Sequence, residues 1–452
     1  MPTNTDPLIL ITPLKPALIR GMAQTLPVLV RIQAPDPDPG RQTERKPYHL
    51  SLVIDRSGSM SGEPLVEAVR CARYIVDRLA ATDRASIVVF DDKVNILAEA
   101  APVGDRKRLH TALAQVRSGG TTNLHGGWKA GMESLLPSAH EAALARVILL
   151  SDGNANAGET TAPDVIAGLC GEAAARGVTT STYGLGHHFN EDLMVDMGKH
   201  GAGNQYYGET AADLFEPFGQ EFDLIANLHA RHVRLSLAAP QGVAIRLLND
   251  YPTEERDGFP LIRLPDIPWG AEAWALIELE IPADLAMEAG VQLLQAAVSG
   301  ATVDGTPIAC QDAALALEVV PPQAWEALLA DALVLARQAE LEAGKLLGQA
   351  RAAAEHGDWA TIQRMIAAAQ QRFADHPWVQ EILAEMAALA AVRDSARFRK
   401  EALYSSRNMG RRLAAKAERL AELASDDSEA SYLRRKRAQG RAQFTDRSDG
   451  DR

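Results

Sequence analysis

The chain has 452 residues, 46% of them apolar and 23% charged, which is ordinary for a globular protein that can bury a sizeable core. Its length allows two to four domains of roughly 100–200 residues each. The net charge of −13 argues against a general nucleic-acid binder, and three widely separated cysteines exclude a disulfide scaffold or a cysteine-based zinc site.

The first predicted elements are two short strands, Leu8–Ile11 and Leu26–Ile32, which are rich in apolar and β-branched residues. Three prolines between residues 35 and 39 exclude a helix or a central strand there, so residues 36–47 are predicted to be a linker. The two strands of residues 1–35 have no sheet of their own to join. We therefore expect them to pair with strands that come later in the chain.

Strands and helices alternate over residues 48–228. Strands are predicted from apolar runs at His49–Asp55, Arg84–Phe90, Arg146–Asp152, Val178–Gly186 and around Asn204–Tyr207, with Val94–Leu97 as a hairpin partner. Helices are predicted from apolar residues at helical spacing at Glu63–Ala81, Asp105–Val116, His125–Leu136, Ala162–Ala175, from Glu191 onward, and at Ala211–Leu228. Because such an alternation needs crossover connections, we predict a doubly wound, mainly parallel, Rossmann-like α/β sheet with helices on both faces.

The pattern becomes all-β over residues 229–320. Six short runs, several of which alternate apolar and polar residues, are separated by Gly, Pro and Asp, and this spacing is typical of a β-sandwich. With the two N-terminal strands added, the prediction is a β-sandwich into which the α/β unit is inserted.

Residues 321–424 are rich in Ala, Leu, Glu and Gln and predict an α-helical domain. Helices are expected at Trp325–His356, with Gly344 or Gly348 as the candidate position of a break, and at Trp359–Phe373, Pro377–Val392 and Arg397–Leu423. Residues 425–452 form a polar and basic tail that we expect to be disordered at its end. Its basic run Arg434–Arg437 is more typical of a solvated or self-docking tail than of a nucleic-acid or membrane contact.

The segment Asp55-Arg56-Ser57-Gly58-Ser59 joins a predicted buried strand to a helix. This is the edge at which open α/β sheets bind ligands. Asp55, Ser57 and Ser59 offer hard oxygen donors at alternate positions, and such donors suit Mg²⁺. Taken alone the pattern is weak, since Ser59 or Ser61 could simply cap the next helix.

Two further loops strengthen the case for a metal site. Gly119-Gly120-Thr121-Thr122 precedes a helix and offers threonine hydroxyls, and Asp152 ends another buried strand. All three segments fall at strand-to-helix loops of one predicted sheet, so their side chains are expected to meet at one edge.

In these three segments the sequence resembles the von Willebrand factor type A (VWA) domain family, and the resemblance extends over residues 48–228. The shared feature is the metal-ion-dependent adhesion site: D-x-S-x-S at Asp55, Ser57 and Ser59, a threonine after Gly-Gly, and an aspartate at a strand end, Asp152. In this family the threonine is followed by any residue and then by a hydrophobic one. Thr122, followed by Asn123 and Leu124, fits this pattern best, and Thr121 is the alternative.

The resemblance implies a Mg²⁺ ion, with Mn²⁺ or Ca²⁺ as alternatives, held by Asp55, Ser57, Ser59, Thr122 and Asp152. A Glu or Asp of a partner protein would complete the coordination. Gly120, Thr121, His187 and His188 would line the surrounding partner-binding surface, although exposed loop histidines without a metal role are the plainer interpretation. The expected function is that of a non-enzymatic scaffold or adaptor.

Three other functions are alternatives to this one. A regulatory subunit or adaptor of an AAA-type ATPase complex is the main alternative, and the absence of a G-x-x-x-x-G-K-[ST] pattern means that this chain would not itself be the P-loop ATPase. A serine hydrolase has no support, because Met60 stands where a nucleophile elbow around Gly58 and Gly62 would need serine. A surface adhesin or channel-associated protein is disfavoured, since no apolar run approaches the ~18 residues of a membrane span and no signal peptide is evident. We expect a cytoplasmic protein.

Overall fold

The structure is a computed structural model that describes residues 6–37, 47–139, 144–185, 190–208, 211–256, 259–287, 290–308, 310–411 and 413–415. Within these residues the chain forms two compact units, one of residues 6–37 and 227–415 and the other of residues 47–226. The second unit therefore lies, in sequence, between two segments of the first. Among the described residues no helix is both long and apolar enough to cross a membrane.

The N-terminal segment contains three strands: β1 (Leu8–Pro13), β2 (Ala17–Ile19) and β3 (Gln24–Gln33). The sequence predicted β1 and β3 but not β2, which is only three residues long. Between them, Lys15 donates a hydrogen bond to the carbonyl of Trp325 at 3.0 Å. The segment is thus held to residues about 300 positions later, as expected for strands with no local sheet.

The described part of the α/β unit contains six strands and six α-helices. The strands are β4 (Tyr48–Asp55), β5 (Arg84–Phe90), β6 (Val94–Pro102), β7 (Leu144–Ser151), β8 (Val178–Leu185) and β9 (Ala202–Gly208). The helices are α1 (Glu63–Arg78), α2 (Lys107–Leu113), α3 (Leu124–Leu135), α4 (Pro163–Ala175), α5 (Glu191–His200) and α6 (Ala211–Ala226).

The strands of this unit form one sheet in the order β6-β5-β4-β7-β8-β9. β4, β5, β7, β8 and β9 pair in parallel, and β6 pairs with β5 antiparallel. Every residue of β4, β7 and β8 is buried, because helices cover both faces of a parallel sheet. The prediction of a mainly parallel α/β sheet is confirmed, and the carboxyl ends of β4, β5 and β7 lie side by side.

Strands then dominate as far as residue 320: β10 (Leu228–Ala238), β11 (Ala244–Leu247), β12 (Thr253–Arg256), β13 (Phe259–Arg263), β14 (Ile267–Pro268), β15 (Ala271–Ile281), β16 (Val291–Thr302) and β17 (Ala313–Val320). The described residues thus hold eight strands rather than the predicted six. The two that were missed, β12 and β14, have four residues and two, too few for a periodic pattern to be visible in the sequence.

The strands of this unit belong to two sheets. One has the order β1-β3-β15-β11, and the other β12-β13-β10-β16-β17-β2, with β14 beside β10. β3 pairs along ten residues with β15, from Gln24 opposite Ile281 to Gln33 opposite Glu272. The N-terminal strands therefore join strands formed more than 230 residues later. The description of these sheets as a sandwich stays a prediction.

The last elements are α7 (Pro322–Glu326), α8 (Ala332–Glu355), α9 (Trp359–Arg372), α10 (Pro377–Val392), α11 (Ser395–Arg411) and the two-residue strand β18 (Ala414–Ala415). A cluster of apolar residues joins α8 to α11. A second cluster packs Val334 and Leu341 of α8 against Leu29 and Trp274 of the first sheet.

Two predicted helices in this region are wrong. The expected single helix Trp325–His356 is broken before residue 332, where the Asp331 side chain accepts hydrogen bonds from the N–H groups of Leu333 and Val334 and so caps a new helix. Gly344 does not interrupt α8. A Cβ at this position would lie 3.2 Å from the Ser406 carbonyl oxygen of α11, so the glycine serves close packing of the two helices.

The second incorrect helix is Arg397–Leu423. α11 ends at Arg411, and Ala414–Ala415 pairs with Ala271 and Glu272 of β15. Leu413 and Ala414 are buried, so burial of these apolar residues against the sheet competes with continuation of the helix. The predicted tail from residue 425 onward, with its basic run, lies outside the described residues.

Candidate metal centre

The sheet order brings the three sequence segments singled out above to one edge. Asp55 is the last residue of β4, Asp152 follows β7, and Thr122 precedes α3. β4 lies directly beside β7 in parallel, so the ends of the two strands and the loops that follow them are neighbours. The local pattern of strand, polar loop and helix is therefore enough to gather these residues.

Asp55 is fully buried and has two hydrogen-bond partners. Its Oδ1 accepts from the backbone N–H of Ser57 at 2.8 Å, and its Oδ2 accepts from the Ser151 hydroxyl at 2.6 Å. The Ser151 Oγ in turn accepts from the backbone N–H of Gly153 at 2.8 Å. Ser151 was not singled out from the sequence, although it directly precedes Asp152 at the end of the same strand.

The two serines of the first loop point their hydroxyls toward each other. The Oγ atoms of Ser57 and Ser59 are 3.2 Å apart, with Ser57 buried and Ser59 exposed. The following helix is capped by Gly62, at φ 84°, without a side-chain hydrogen bond. Neither Ser59 nor Ser61 therefore caps α1. The hydroxyls of Ser57 and Ser59 both lie at the end of β4.

Backbone hydrogen bonds fasten the loop before Thr122 to the Asp55 loop. Gly119 donates to the carbonyl of Arg56 at 2.7 Å, and Gly58 donates to the carbonyl of Gly120 at 2.8 Å. Thr122 itself is buried, and its N–H donates to the Asn156 side chain at 2.8 Å. Thr122 is thus held between the first loop and the loop that follows Asp152, whereas Thr121 is exposed.

Asp152 is nearly buried, and its Oδ1 accepts from the backbone N–H of Asn154 at 3.1 Å. Its carbonyl accepts from the N–H of Asn190 at 2.8 Å, which ties the loop to the start of α5. Both carboxylates of the site are therefore positioned by local backbone donors.

Burial raises the pKa of Asp55 from 3.8 to about 6. The neighbouring charge of Asp152 adds to this rise, while hydrogen bonds from Ser151 and Ser57 oppose it. These hydrogen-bond partners are neutral, so they offset the cost of the buried charge only in part. A cation at this edge would supply the missing compensation.

The neighbouring Asp91, which follows β5, has the opposite electrostatics. Burial favours its neutral form, but hydrogen bonds from Lys93, the Arg56 guanidinium and the backbone of Gly120 outweigh that and lower its pKa. Arg56 Nη2 lies 3.1 Å from the Asp91 carboxylate. The sequence interpretation missed Asp91, although it too stands at the carboxyl end of a parallel strand.

The proposed partner surface is only partly described. Gly120 and Thr121 are exposed at the rim of the site, and their exposure is compatible with the role expected for them. His187 and His188 lie outside the described residues.

The donor set fits a hard divalent cation. Two carboxylates and three hydroxyls are oxygen donors of the kind that Mg²⁺ prefers, and the neutral hydroxyls leave room for further oxygen ligands. Within the described part of the chain, no group of three or more His, Cys, Asp or Glu side chains could hold a metal. The centre is thus defined by hydroxyl groups as much as by carboxylates.

Comparison with known proteins agrees with this fold. Residues 49–218 match the family model of the von Willebrand factor type A domain, so the chain contains a VWA domain within its α/β unit. An uncharacterized protein of Synechocystis is 30% identical over 222 residues, which are 49% of this chain and 51% of that protein. The chain thus spans about half the length of this relative.

Two solved structures resemble a larger part of the chain. The von Willebrand factor type A protein from Catenulispora acidiphila superposes with a TM-score of 0.67 at 14% identity, over 85% of this chain and 91% of that one. The ArnB paralog VWA2 from Sulfolobus acidocaldarius gives a TM-score of 0.58 at 17% identity, over 90% of this chain and 99% of that one. At these identities the similarity concerns the fold.

Proposed function

We propose that this protein is a non-enzymatic interaction protein whose VWA domain captures a Glu or Asp of a partner protein through a bound divalent cation, most simply Mg²⁺. VWA domains typically mediate protein–protein interactions. The observation that carries the proposal is the buried Asp55, whose hydrogen-bond partners are neutral, beside the paired Ser57 and Ser59 hydroxyls.

The roles follow from the placement of the donors. Ser57, Ser59 and Thr122 would hold the cation through their hydroxyl oxygens. The buried carboxylates of Asp55 and Asp152 would neutralise its charge. When bound, the cation supplies an electrophilic position that an incoming carboxylate can fill. Ser59 is exposed, so the partner would approach from that side, over Gly120 and Thr121.

Metal binding is the first test. Calorimetric titration of the full chain with Mn²⁺ and Mg²⁺ should give one site in the wild type and a loss of at least tenfold in affinity for Ser57→Ala and Asp152→Asn. Ser61→Ala is the matched control, since Ser61 is an exposed serine of the same segment. Equal affinity in all four proteins would overturn the proposed site.

Partner capture is the second test. A tagged full chain should retain a host protein in Mg²⁺ and release it in EDTA, and Ser57→Ala should fail to retain it while Ser61→Ala succeeds. If the captured protein is an AAA-type ATPase whose turnover changes on binding, the adaptor alternative is supported. A partner retained equally in EDTA would place the binding function outside the metal site.

A cytoplasmic location is part of the proposal. It is supported by Cys71, Cys170 and Cys310, none of which forms a disulfide in the described part of the chain, because extracellular domains more often pair their cysteines. Fractionation of the host cells would test it.

A further inference from the structure

Asp91 stands at the centre of the contacts that join two of the site's loops. It follows β5, the parallel neighbour of β4, and its side chain is only 7% exposed. Its Oδ1 accepts from the backbone N–H of Lys93 at 2.8 Å, and its carbonyl accepts from the N–H of Asn123 at 2.8 Å. The residue is therefore fixed to its own loop and to the start of α3.

The carboxylate also lies directly against the Gly119-Gly120 segment. The backbone N–H of Gly120 donates to it, and a Cβ built on Gly119 would stand 1.7 Å from the Asp91 Oδ2. Only glycine permits this approach, since real Cβ contacts are never so short. The position of the segment that leads into Thr122 thus depends on Asp91.

The same carboxylate holds Arg56, which lies between Asp55 and Ser57 in the sequence. The Arg56 guanidinium contacts Asp91 at 3.1 Å and donates to the Asn95 side chain at 2.9 Å. The ion pair is largely removed from solvent, with side-chain exposures of 20% and 7%. This ion pair keeps the Arg56 guanidinium engaged with Asp91 rather than with the neighbouring carboxylates of the site.

We propose that Asp91 is a positioning residue of the metal centre: its carboxylate clamps Arg56 and the Gly119-Gly120 backbone, and thereby sets Thr122 in register with Ser57 and Ser59. Asp91 does not itself bind the cation in this arrangement. The inference rests on the proposed function, because it assigns a role toward the cation of that site.

The test measures Mn²⁺ affinity of the full chain by calorimetry, and the melting temperature in EDTA separately. Asp91→Asn should weaken Mn²⁺ binding about tenfold while the metal-free protein stays folded. Asp77→Asn is the matched control, since Asp77 pairs with His110 at 2.9 Å near the end of α1, at the opposite edge of the sheet. The control should bind Mn²⁺ like the wild type.

A second pair of variants tests the same contact without removing the carboxylate. Gly119→Ala should push the Asp91 carboxylate away and weaken Mn²⁺ binding to a similar degree. Gly168→Ala on α4 is its control, because a Cβ there would have no atom within 4 Å among the described residues. This pair keeps the proposal testable if Asp91→Asn does not fold.

A double variant tests whether Arg56 and Asp91 act on the site together. If Arg56 acts through Asp91, adding Arg56→Gln to Asp91→Asn should weaken Mn²⁺ binding no more than twofold further. Wild-type affinity in both Asp91→Asn and Gly119→Ala would overturn the proposal, even if their melting temperatures fall. If Ser57→Ala and Asp152→Asn lose Mn²⁺ in the same experiment, the proposed metal site survives that failure.

Discussion

At the scale of single residues, two buried aspartates at neighbouring strand ends differ in their electrostatics. Asp91 faces a guanidinium and backbone donors, which lower its pKa, whereas Asp55 faces neutral hydrogen-bond donors and another carboxylate. Burial alone would raise both pKa values, so the neighbours decide the sign. The one that is left without compensation is the one that the sequence pattern assigns to the cation.

The raised pKa of Asp55 predicts a pH-dependent difference between the wild type and Asp55→Asn in EDTA. In the folded protein the Asp55 carboxyl keeps its proton up to about pH 6, whereas in the unfolded chain it does so only up to about pH 4. The wild type therefore loses stability as the pH rises from 4 to 6. A pKa raised from 3.8 to about 6 corresponds to about 3 kcal/mol, a loss that Asp55→Asn should not show.

Urea unfolding at pH 4, 5, 6 and 7 would measure this difference. The free energy of unfolding of Asp55→Asn minus that of the wild type should increase mainly between pH 4 and 6. Above pH 6 this difference should stay constant. A difference that does not change with pH would contradict the argument.

At the scale of elements, helix α3 lies close enough to the sheet to require glycine. A Cβ on Gly131 would stand 2.4 Å from the Val53 Cγ2 of β4 and 3.0 Å from the Ser51 Oγ. α3 carries Thr122 and Asn123 at its start, and the Asn123 side chain caps it by accepting from the N–H of Gly126 at 2.9 Å. Close packing of α3 on β4 therefore helps to fix the distance between two of the metal loops.

Two glycine-to-alanine changes in helices should have opposite effects on stability. Gly131→Ala gains helix propensity but overpacks the core, and should lower the free energy of unfolding by about 1–2 kcal/mol net. Gly168→Ala, with open space around its Cβ among the described residues, should raise it by about 0.5–1 kcal/mol. Denaturant titration would measure both, and equal signs would show that packing is not the cause.

Helix α6 is joined to the sheet by a buried polar network. The Glu221 carboxylate accepts from Arg146 of β7, from the Ser181 hydroxyl of β8 at 2.6 Å, and from the Tyr183 hydroxyl. Arg146 also donates to the Thr179 hydroxyl at 2.9 Å. Such a network is costly to break from one side, because a buried charge would be left without its partner.

Replacing Arg146 by Met should therefore lower the free energy of unfolding by about 3–5 kcal/mol. Lys129→Ala, which breaks an exposed pair with Glu159 at 3.4 Å, should cost less than about 1 kcal/mol. Thermal or urea unfolding of the two variants would compare them. A small effect of Arg146→Met would mean that Glu221 finds another donor.

At the scale of the whole molecule, the two units should respond differently to the cation. A ligand that binds only the folded state stabilises the unit that holds its site, and that unit consists of residues 47–226. Calorimetric scans in Mg²⁺ and in EDTA should therefore shift one transition upward and leave a second in place.

Hydrogen exchange would assign these transitions. Peptides from residues 47–226 should gain protection in Mg²⁺, and those from residues 259–411 should not. Ser57→Ala should abolish the gain, while Ser61→Ala should preserve it. Equal protection of both units would mean that the units unfold together or that the cation binds elsewhere.

The sequence by itself determined the α/β unit and the residues gathered at its edge. Hydrophobic periodicity and glycine positions are local signals, and parallel strands place their carboxyl ends together by topology alone. Asp55, Ser57, Ser59 and Asp152 were therefore singled out from the sequence, and the resemblance to the VWA family led to the choice of Thr122. Their role as metal ligands remains a prediction.

Only the tertiary structure decided the rest, because those features depend on contacts between distant residues. The pairing of β3 with β15, the break before Asp331 and the turn to β18 arise from long-range burial and capping that no short window contains. The contacts of Asp91 also depend on distant residues. Its carboxylate can contact Arg56 and Gly120 only because the fold brings their loops together.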